Sequence, residues 1–143
     1  MAHFAFAVLL CIKQAQRSEI FVREHPVGAS SWSTQLASLL SQCPGTRRVN
    51  FDFCMIGMRS KDASGSAPAK KRSIVMTNSP ELADTLANFH CDSTRRHVVF
   101  EGGRHKACEE YPDEFCEVVL RAVRKGLGTK STAQTLEVNT LGR

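Results

Sequence analysis

The chain begins with an apolar stretch, and a β-branched stretch follows it directly. This order limits the folds that the chain can adopt. Residues 3–17 contain neither proline nor glycine and end in cations, which predicts a helix that packs on a sheet. Residues 19–24, EIFVRE, predict a buried strand. Since such a helix usually crosses over from a preceding parallel strand, and none precedes it here, we expect the later half of a larger sheet domain.

Helix and strand signals alternate along the rest of the chain, which predicts an α/β domain over residues 1–126 and a flexible tail over 127–143. The strongest helix start is at Ser79, which can cap a helix with proline at its first position. The remaining predicted elements are a helix from Ser30 or Ser31 to the CPG at 43–45, a strand in 47–58, a flexible loop at 60–70, a strand in 71–78, a short strand near 96–100 and a helix from 112 to Gly126.

Composition narrows the function classes only slightly. The chain has 143 residues and a formal net charge of +5, which permits contact with a polyanion without requiring it. Residues 3–12 resemble the core of a signal peptide, but no lysine or arginine precedes them, no small-residue cleavage site follows, and they are too short to span a bilayer. We therefore expect reduced cysteines, no membrane contact and a cytoplasmic or nuclear location. The six cysteines form no CxxC pair: Cys11, Cys43, Cys54, Cys91, Cys108 and Cys116.

The sequence EHP at 24–26 closes the first predicted strand. In open α/β sheets ligands bind beyond the carboxyl ends of the strands, where Glu24 and His25 would stand. A carboxylate at that place can accept hydrogen bonds from an amino or imino edge, or act as a general acid. The alternatives are a solvated glutamate with a histidine at a strand end, or a small enzyme that uses both side chains.

Two cationic stretches are candidates for phosphate contact. Lys70, Lys71 and Arg72 lie where a flexible loop leads into the strand predicted in 71–78, and we expect Thr77 and Asn78, at its far end, to reach the same rim of the sheet as Glu24. Arg104 and Lys106 follow a glycine pair that lacks the spacing of a nucleotide-binding loop. For both stretches the alternative is an ordinary solvated surface.

Cysteine and histidine are concentrated after residue 90. Cys91, His97, His105 and Cys108 are the ligand types that zinc uses, although their spacing matches no standard structural zinc motif. The alternatives are loop histidines beside a packed cysteine, or a nucleophile–base pair of Cys91 and His97.

Several segments, taken together, resemble a known family. EHPVGASSW, FDFCMIGMRSKD, PAKKRSIVMTNSPELA and FEGGRHKACEEYPDEFC occur in this order. They resemble the methyltransferase-like domains in polyproteins of retrotransposons and related mobile elements, which are distantly similar to the C-terminal half of cytosine-5 DNA methyltransferases. The resemblance covers about residues 3–125.

The resemblance implies a partial Rossmann-like, methyltransferase-type sheet with flanking helices, whose first half is missing. It gives Glu24 the role of the glutamate that hydrogen-bonds a flipped cytosine, with His25 where those enzymes have asparagine. It also relates FDFCMIG and KKRSIVMTN to segments of the phage enzymes, with Arg72 and Ser73 replacing a proline and a threonine. Neither a Gly-rich methyl-donor motif nor a Pro-Cys nucleophile motif occurs in these residues. S-adenosylmethionine is therefore expected only in a full-length relative, and no cofactor in this fragment.

These observations lead to one expected function and one alternative. We expect a fragment or remnant of a retroelement-encoded DNA-methyltransferase-like domain that is inactive alone and contacts DNA or RNA. Its sites are Glu24 and His25 with Lys70, Lys71, Arg72, Thr77, Asn78, Arg104 and Lys106, and its missing N-terminal half is a further partner. The alternative is a small zinc-stabilised nucleic-acid-binding module.

Overall fold

The chain folds as a mixture of helices and strands, which confirms the predicted α/β class. A computed structural model describes residues 2–99 and 110–141, and the side chains of 3–99 and 110–128. Two short 3-10 turns, at Ser30–Ser33 and Phe53–Met55, accompany the main elements. These are α1 (Ala2–Gln16), β1 (Val22–Pro26), α2 (Gln35–Ser41), β2 (Arg47–Asp52), β3 (Arg59–Asp62), β4 (Gly65–Pro68), β5 (Arg72–Thr77), α3 (Pro80–Leu86) and α4 (Asp113–Leu141).

The main sheet has three strands in the order β1–β5–β2, and β5 is antiparallel to both neighbours. β1 and β2 therefore run parallel to each other, and their carboxyl ends lie beside the start of β5. We call this the front end of the sheet, defined by Pro26, Asp52 and Arg72. Direct parallel pairing, the usual pairing in a Rossmann-like sheet, does not occur between the described strands. The reason is that β5 follows a hairpin, whereas parallel neighbours need a long crossover.

The two faces of this sheet are covered by different helices. Successive side chains of a strand point to opposite faces, so each strand contributes to two separate cores. Val49, Phe51 and Val75 pack with residues of α3 and α4. On the opposite face, Ile74 and Met76 pack with residues of α1 and α2. Glu24 is opposite Val75 in the register and lies on the α4 side, while His25 is opposite Ile74 and lies on the α1 side.

Helix α1 buries one face and exposes the other. Val8 and Cys11 are buried against the sheet, as predicted for this segment, but Phe6 is 64% exposed and Leu9 54% exposed. The helix is therefore amphipathic in its contacts although its sequence is apolar nearly all round. Among the described residues, no helix is long and apolar enough to cross a membrane.

Helix α3 begins as predicted. The Ser79 side chain accepts a hydrogen bond from the Leu82 amide at 3.3 Å, and Pro80 occupies the first helical position. Helix α2 begins later than predicted, because Thr34 rather than Ser30 or Ser31 caps it by accepting from the Ala37 amide. Its predicted end before the CPG is confirmed.

The predicted flexible loop at 60–70 is wrong, because these residues form the β3–β4 hairpin. The turn is stabilised by the Asp62 carboxylate, which accepts from the Ser64 amide at 2.8 Å, and by Gly65, whose φ is +100°. Only glycine adopts such a φ without strain. Beyond the hairpin, the Ala69 amide donates to the Met58 carbonyl at 2.9 Å and continues the pairing.

Helix α4 does not end at Gly126 as predicted but continues to Leu141. Gly126 lacks the positive φ of a glycine that ends a helix. A Cβ at this position would lie 3.1 Å from Ile20 Cδ1 and 3.4 Å from Glu81 Oε2. The glycine thus allows α4 to approach Ile20 and the first turn of α3 closely. The division into a domain and a flexible tail at residue 126 stays a prediction.

Candidate functional site

Glu24 lies inside β1, and its side chain is only 9% exposed. The sequence predicted it as the last residue of a strand over 19–24, so the strand begins and ends two or three residues later than predicted. Its Oε2 accepts a hydrogen bond from the Tyr111 hydroxyl at 2.7 Å. Among the described residues, no donor lies within hydrogen-bonding distance of the other oxygen, Oε1, which is buried. Lys71 Nζ is 3.9 Å from this oxygen, close enough for electrostatic attraction.

Aromatic rings hold the groups around Glu24 in place. The Phe53 ring is fully buried and stacks on Tyr111, with 5.9 Å between the ring centroids. Phe115 packs against both rings, at 4.9 Å from Phe53 and 5.0 Å from Tyr111. Lys71 Nζ lies 4.5 Å from the centre of the Phe53 ring, within the range of a cation–π interaction. The carboxylate, the hydroxyl and the ammonium group are therefore fixed relative to one another.

A cavity of about 420 Å³ opens beside Glu24. Its wall is almost entirely apolar, and Glu24 and Tyr111 are the lining residues whose side chains carry oxygen. A volume of this size accommodates one small planar molecule. The residues that line it are Val22, Glu24, Tyr111, Phe115, Cys116, Val119 and Leu120.

The Tyr111 hydroxyl provides a direct test of this geometry. Partial burial and the hydrogen bond to Glu24 raise the pKa of Tyr111 well above its ordinary value of 10.0. Since Tyr111 is the only tyrosine, phenolate absorbance reports on it alone. We expect no phenolate signal at pH 10 in the folded protein, and a lower pKa in Glu24→Gln, because removing the negative charge favours the phenolate.

Glu19→Gln is the matched control for this titration, since Glu19 precedes β1 and is exposed. Circular dichroism at each pH establishes that the protein is still folded. Half-ionisation of Tyr111 near pH 10 in the folded protein would contradict the hydrogen bond to Glu24.

His25 does not share the site of Glu24. Its ring lies on the opposite face of the sheet, with its centroid 6.2 Å from Phe4 and 6.0 Å from Trp32. Burial, and then the nearby Arg23 charge, lower the pKa of His25 below its ordinary value of 6.5. Adjacent strand residues point to opposite faces, and an enzyme site that combines Glu24 with His25 is therefore not formed.

Thr77 and Asn78 lie at the end of the sheet away from Pro26 and Asp52, so the expectation that they reach the same rim of the sheet as Glu24 is wrong. It assumed parallel strands, whereas β5 runs antiparallel to β1 and places Thr77 opposite Val22. Both side chains stabilise the entry into β1. The Thr77 hydroxyl donates to the Phe21 carbonyl at 2.6 Å, and the Asn78 amide oxygen accepts from the Phe21 amide at 2.9 Å.

The antiparallel direction of β5 brings the cations to the front end instead. Lys71 contacts Glu24, as described above, and Lys70 has an exposed side chain. Arg72 donates to the buried Asp52 carboxylate at 3.1 Å, although its own side chain is 59% exposed. Arg104 and Lys106 lie outside the described residues.

A second cluster at the front end contains Cys54, Cys91 and His97. One ligand atom from each of them lies within 4.8 Å of the others, and Cys91 Sγ is 3.3 Å from His97 Nε2. Burial, and then the neighbouring Cys91 thiol, raise the pKa of Cys54 to about 11. The structure thus brings together Cys91 and His97, two of the four predicted zinc ligands. The other two, His105 and Cys108, lie outside the described residues.

Sequence reasoning missed Cys54 and Tyr111. Cys54 is 37 residues from Cys91 and lies outside the cluster of cysteine and histidine after residue 90. The available signal was its position in the later half of the strand predicted in 47–58, towards the end where α/β sheets bind ligands. Tyr111 is 87 residues from Glu24, and no local pattern connects the two.

Comparisons with known proteins identify no relative. No family model matches the chain, and neither a curated protein nor a solved structure is significantly similar to it.

Proposed function

We propose that this chain is the base-contacting part of a methyltransferase-like domain of the mobile-element type, and that it holds a nucleobase against Glu24 without methylating it. The observation that carries this proposal is the position of Glu24 in the wall of an apolar cavity, with a buried carboxylate oxygen, Oε1, that has no hydrogen-bond donor among the described residues. The resemblance of EHPVGASSW and KKRSIVMTN to methyltransferase segments supports the same residue.

The chemistry of the cavity favours a flat ring that carries an N–H donor. A buried carboxylate oxygen without a hydrogen-bond donor is costly, and a ligand amino or imino group satisfies it once the neighbouring side chains move and uncover it. The rings of Tyr111 and Phe115 provide apolar surface for the ring of the base. Cytosine offers its N4 amino group to such an acceptor, so we propose a cytosine-type base as the ligand.

A base can enter this cavity only after it leaves the helical stack. We therefore propose single-stranded DNA or RNA, or an extruded nucleotide, as the physiological ligand. Lys70 and Arg72, the chain neighbours of Lys71 at the front end, have exposed side chains, which suits contact with the adjoining phosphates. Lys71 balances the charge of the buried carboxylate.

The finer fold assignment, a partial doubly wound sheet, is part of this proposal. In such mixed sheets an antiparallel strand can accompany parallel strands, as β5 accompanies β1 and β2. Each of the two outer strands has one edge that no described strand pairs with, and α1 exposes Phe6 and Leu9. These unpaired edges and the apolar helix face support a second half of the domain as partner.

The proposed role is binding rather than catalysis. Methylation of cytosine at C5 in this family needs a thiolate that attacks C6, and the sequence contains no Pro-Cys dipeptide. S-adenosylmethionine belongs, in this proposal, to a full-length relative.

Binding of a fluorescently labelled single-stranded oligonucleotide tests the proposal. We expect Glu24→Gln to weaken the binding of a cytosine-containing strand at least tenfold, since a hydrogen bond to a charged group contributes about 1.5–3 kcal/mol. Glu19→Gln changes the net charge equally but leaves the cavity intact, and we expect it to bind like the wild type.

A strand whose cytosine is replaced by an abasic nucleotide separates base contact from phosphate contact. We expect the wild type and Glu24→Gln to bind this strand equally. Equal binding of the cytosine-containing strand by wild type and Glu24→Gln would exclude Glu24 as the base contact.

A further inference from the structure

The structure assigns a metal site, and we propose that Cys54, Cys91 and His97 bind one zinc ion at the front end of the sheet. Each offers one ligand atom, and these three atoms lie within 4.8 Å of one another. A tetrahedral zinc ion with bonds of about 2.0–2.3 Å separates its ligand atoms by roughly 3.3–3.8 Å. The 3.3 Å between Cys91 Sγ and His97 Nε2 already meets this requirement.

The ligands come from two separate parts of the chain that the protein itself holds together. Cys54 lies in the 3-10 turn after β2, and Cys91 and His97 lie in the segment after α3. Asp52 fixes the second segment, because its Oδ2 accepts a hydrogen bond from the Cys91 amide at 2.9 Å. Arg95 reaches back and donates to the Cys54 carbonyl at 3.0 Å. The ligand atoms are therefore positioned by contacts that do not depend on the ion.

The donor set selects the type of metal. Two thiols and one imidazole suit zinc, whereas magnesium and calcium prefer oxygen ligands. The Ser93 amide points at Cys91 Sγ from 3.4 Å, and a backbone N–H directed at sulfur stabilises a thiolate. Binding converts both thiols to thiolates and releases two protons to the buffer.

The proposed ion has one consequence for the fold and one for the chemistry of the site. It links the end of β2 to the segment that leads to Val98, whose amide and carbonyl pair with Pro68 and Lys70. Three protein ligands also leave a fourth position of the tetrahedron for water or another donor. Cys91 and His97 are only half-buried, so the proposed ion lies near the surface of the described residues.

The test begins with the full chain purified without chelator. We expect one zinc ion per chain by mass spectrometry of the metal, and a melting temperature about 10 °C higher with zinc 100-fold above its Kd than without it. Cobalt added to the zinc-free chain should give thiolate-to-metal charge-transfer absorption and the visible bands of a tetrahedral site. Zinc far below one ion per chain, together with an absence of these bands, would overturn the proposal.

Single substitutions identify the ligands. We expect Cys54→Ser, Cys91→Ser and His97→Ala each to weaken zinc binding at least tenfold, and Cys43→Ser, at a free thiol beside α2, to leave it unchanged. The cobalt spectrum of the unaltered chain keeps the test valid if a variant does not fold. Full zinc binding by Cys54→Ser would overturn this ligand set. Zinc binding in Glu24→Gln should equal that of the wild type, which separates this proposal from the proposed base contact.

Discussion

Replacing Phe53 with alanine lowers the free energy of unfolding by about 3–5 kcal/mol. The ring is fully buried and lies at the centre of an aromatic group, 4.7 Å from Phe51 and 4.9 Å from Phe115 between centroids. Removing it leaves a cavity beneath Tyr111 and takes away the ring face that Lys71 contacts. We therefore expect weaker ligand binding at Glu24 as well as lower stability, because the groups around Glu24 lose their support.

Urea denaturation, followed by circular dichroism, measures the change. Phe6→Ala is the matched control, since the same ring is removed from a side chain that is 64% exposed, and we expect a change below about 1 kcal/mol. Similar free energies of unfolding for Phe53→Ala and the wild type would show that this aromatic group is not the core of the domain.

Replacing Asp52 with alanine lowers the free energy of unfolding by about 2 kcal/mol. The residue is 3% exposed and accepts two hydrogen bonds, from the Cys91 amide at 2.9 Å and from Arg72 Nε at 3.1 Å. The Arg72 side chain is largely exposed and becomes solvated when the carboxylate is removed, so that contact contributes little. Most of the loss comes from the Cys91 amide, which keeps no protein acceptor.

Asp84→Ala is the matched control, because Asp84 forms an exposed ion pair with Arg47 at 2.7 Å. We expect this substitution to cost less than about 1 kcal/mol. Urea denaturation of both variants in the same buffer provides the comparison. If Asp52→Ala is no less stable than Asp84→Ala, the contact between Asp52 and the segment after α3 does not stabilise the fold.

Local sequence signals were sufficient to predict some helices and strands. The start of α3 was predicted from Ser79 and Pro80, because a capping hydroxyl and a proline at the first position act over only three or four residues. The β3–β4 hairpin was missed for the opposite reason. Its residues are small and polar, which is typical of a loop, and pairing with the neighbouring strand decides its structure.

The candidate site is formed by contacts between residues that are far apart in the sequence. Glu24 was predicted from its place near a strand end, but its hydrogen-bond partner Tyr111 and its neighbour Lys71 depend on how α4 and β5 pack. Thr77 was misplaced because the direction of β5 cannot be derived from its own sequence. The same limit applied to Cys54, which meets Cys91 only because the segment after α3 passes the end of β2.

The two proposed sites are neighbours at the front end of the sheet, but they are formed by different residues. The base contact depends on the carboxylate of β1 and on the rings around it, and the zinc site on the 3-10 turn after β2 and the segment after α3. A variant of one site that leaves the other unchanged therefore assigns each function to its own residues.

Nuclear magnetic resonance of the protein with 2′-deoxycytidine tests the central claim most directly. We expect intermolecular nuclear Overhauser effects between the cytosine ring protons and the rings of Tyr111 and Phe115, and their loss in Glu24→Gln. The sole tyrosine makes the first of these contacts simple to assign. Contacts only with other surfaces of the protein, or contacts that persist unchanged in Glu24→Gln, would contradict the proposal that Glu24 holds the base.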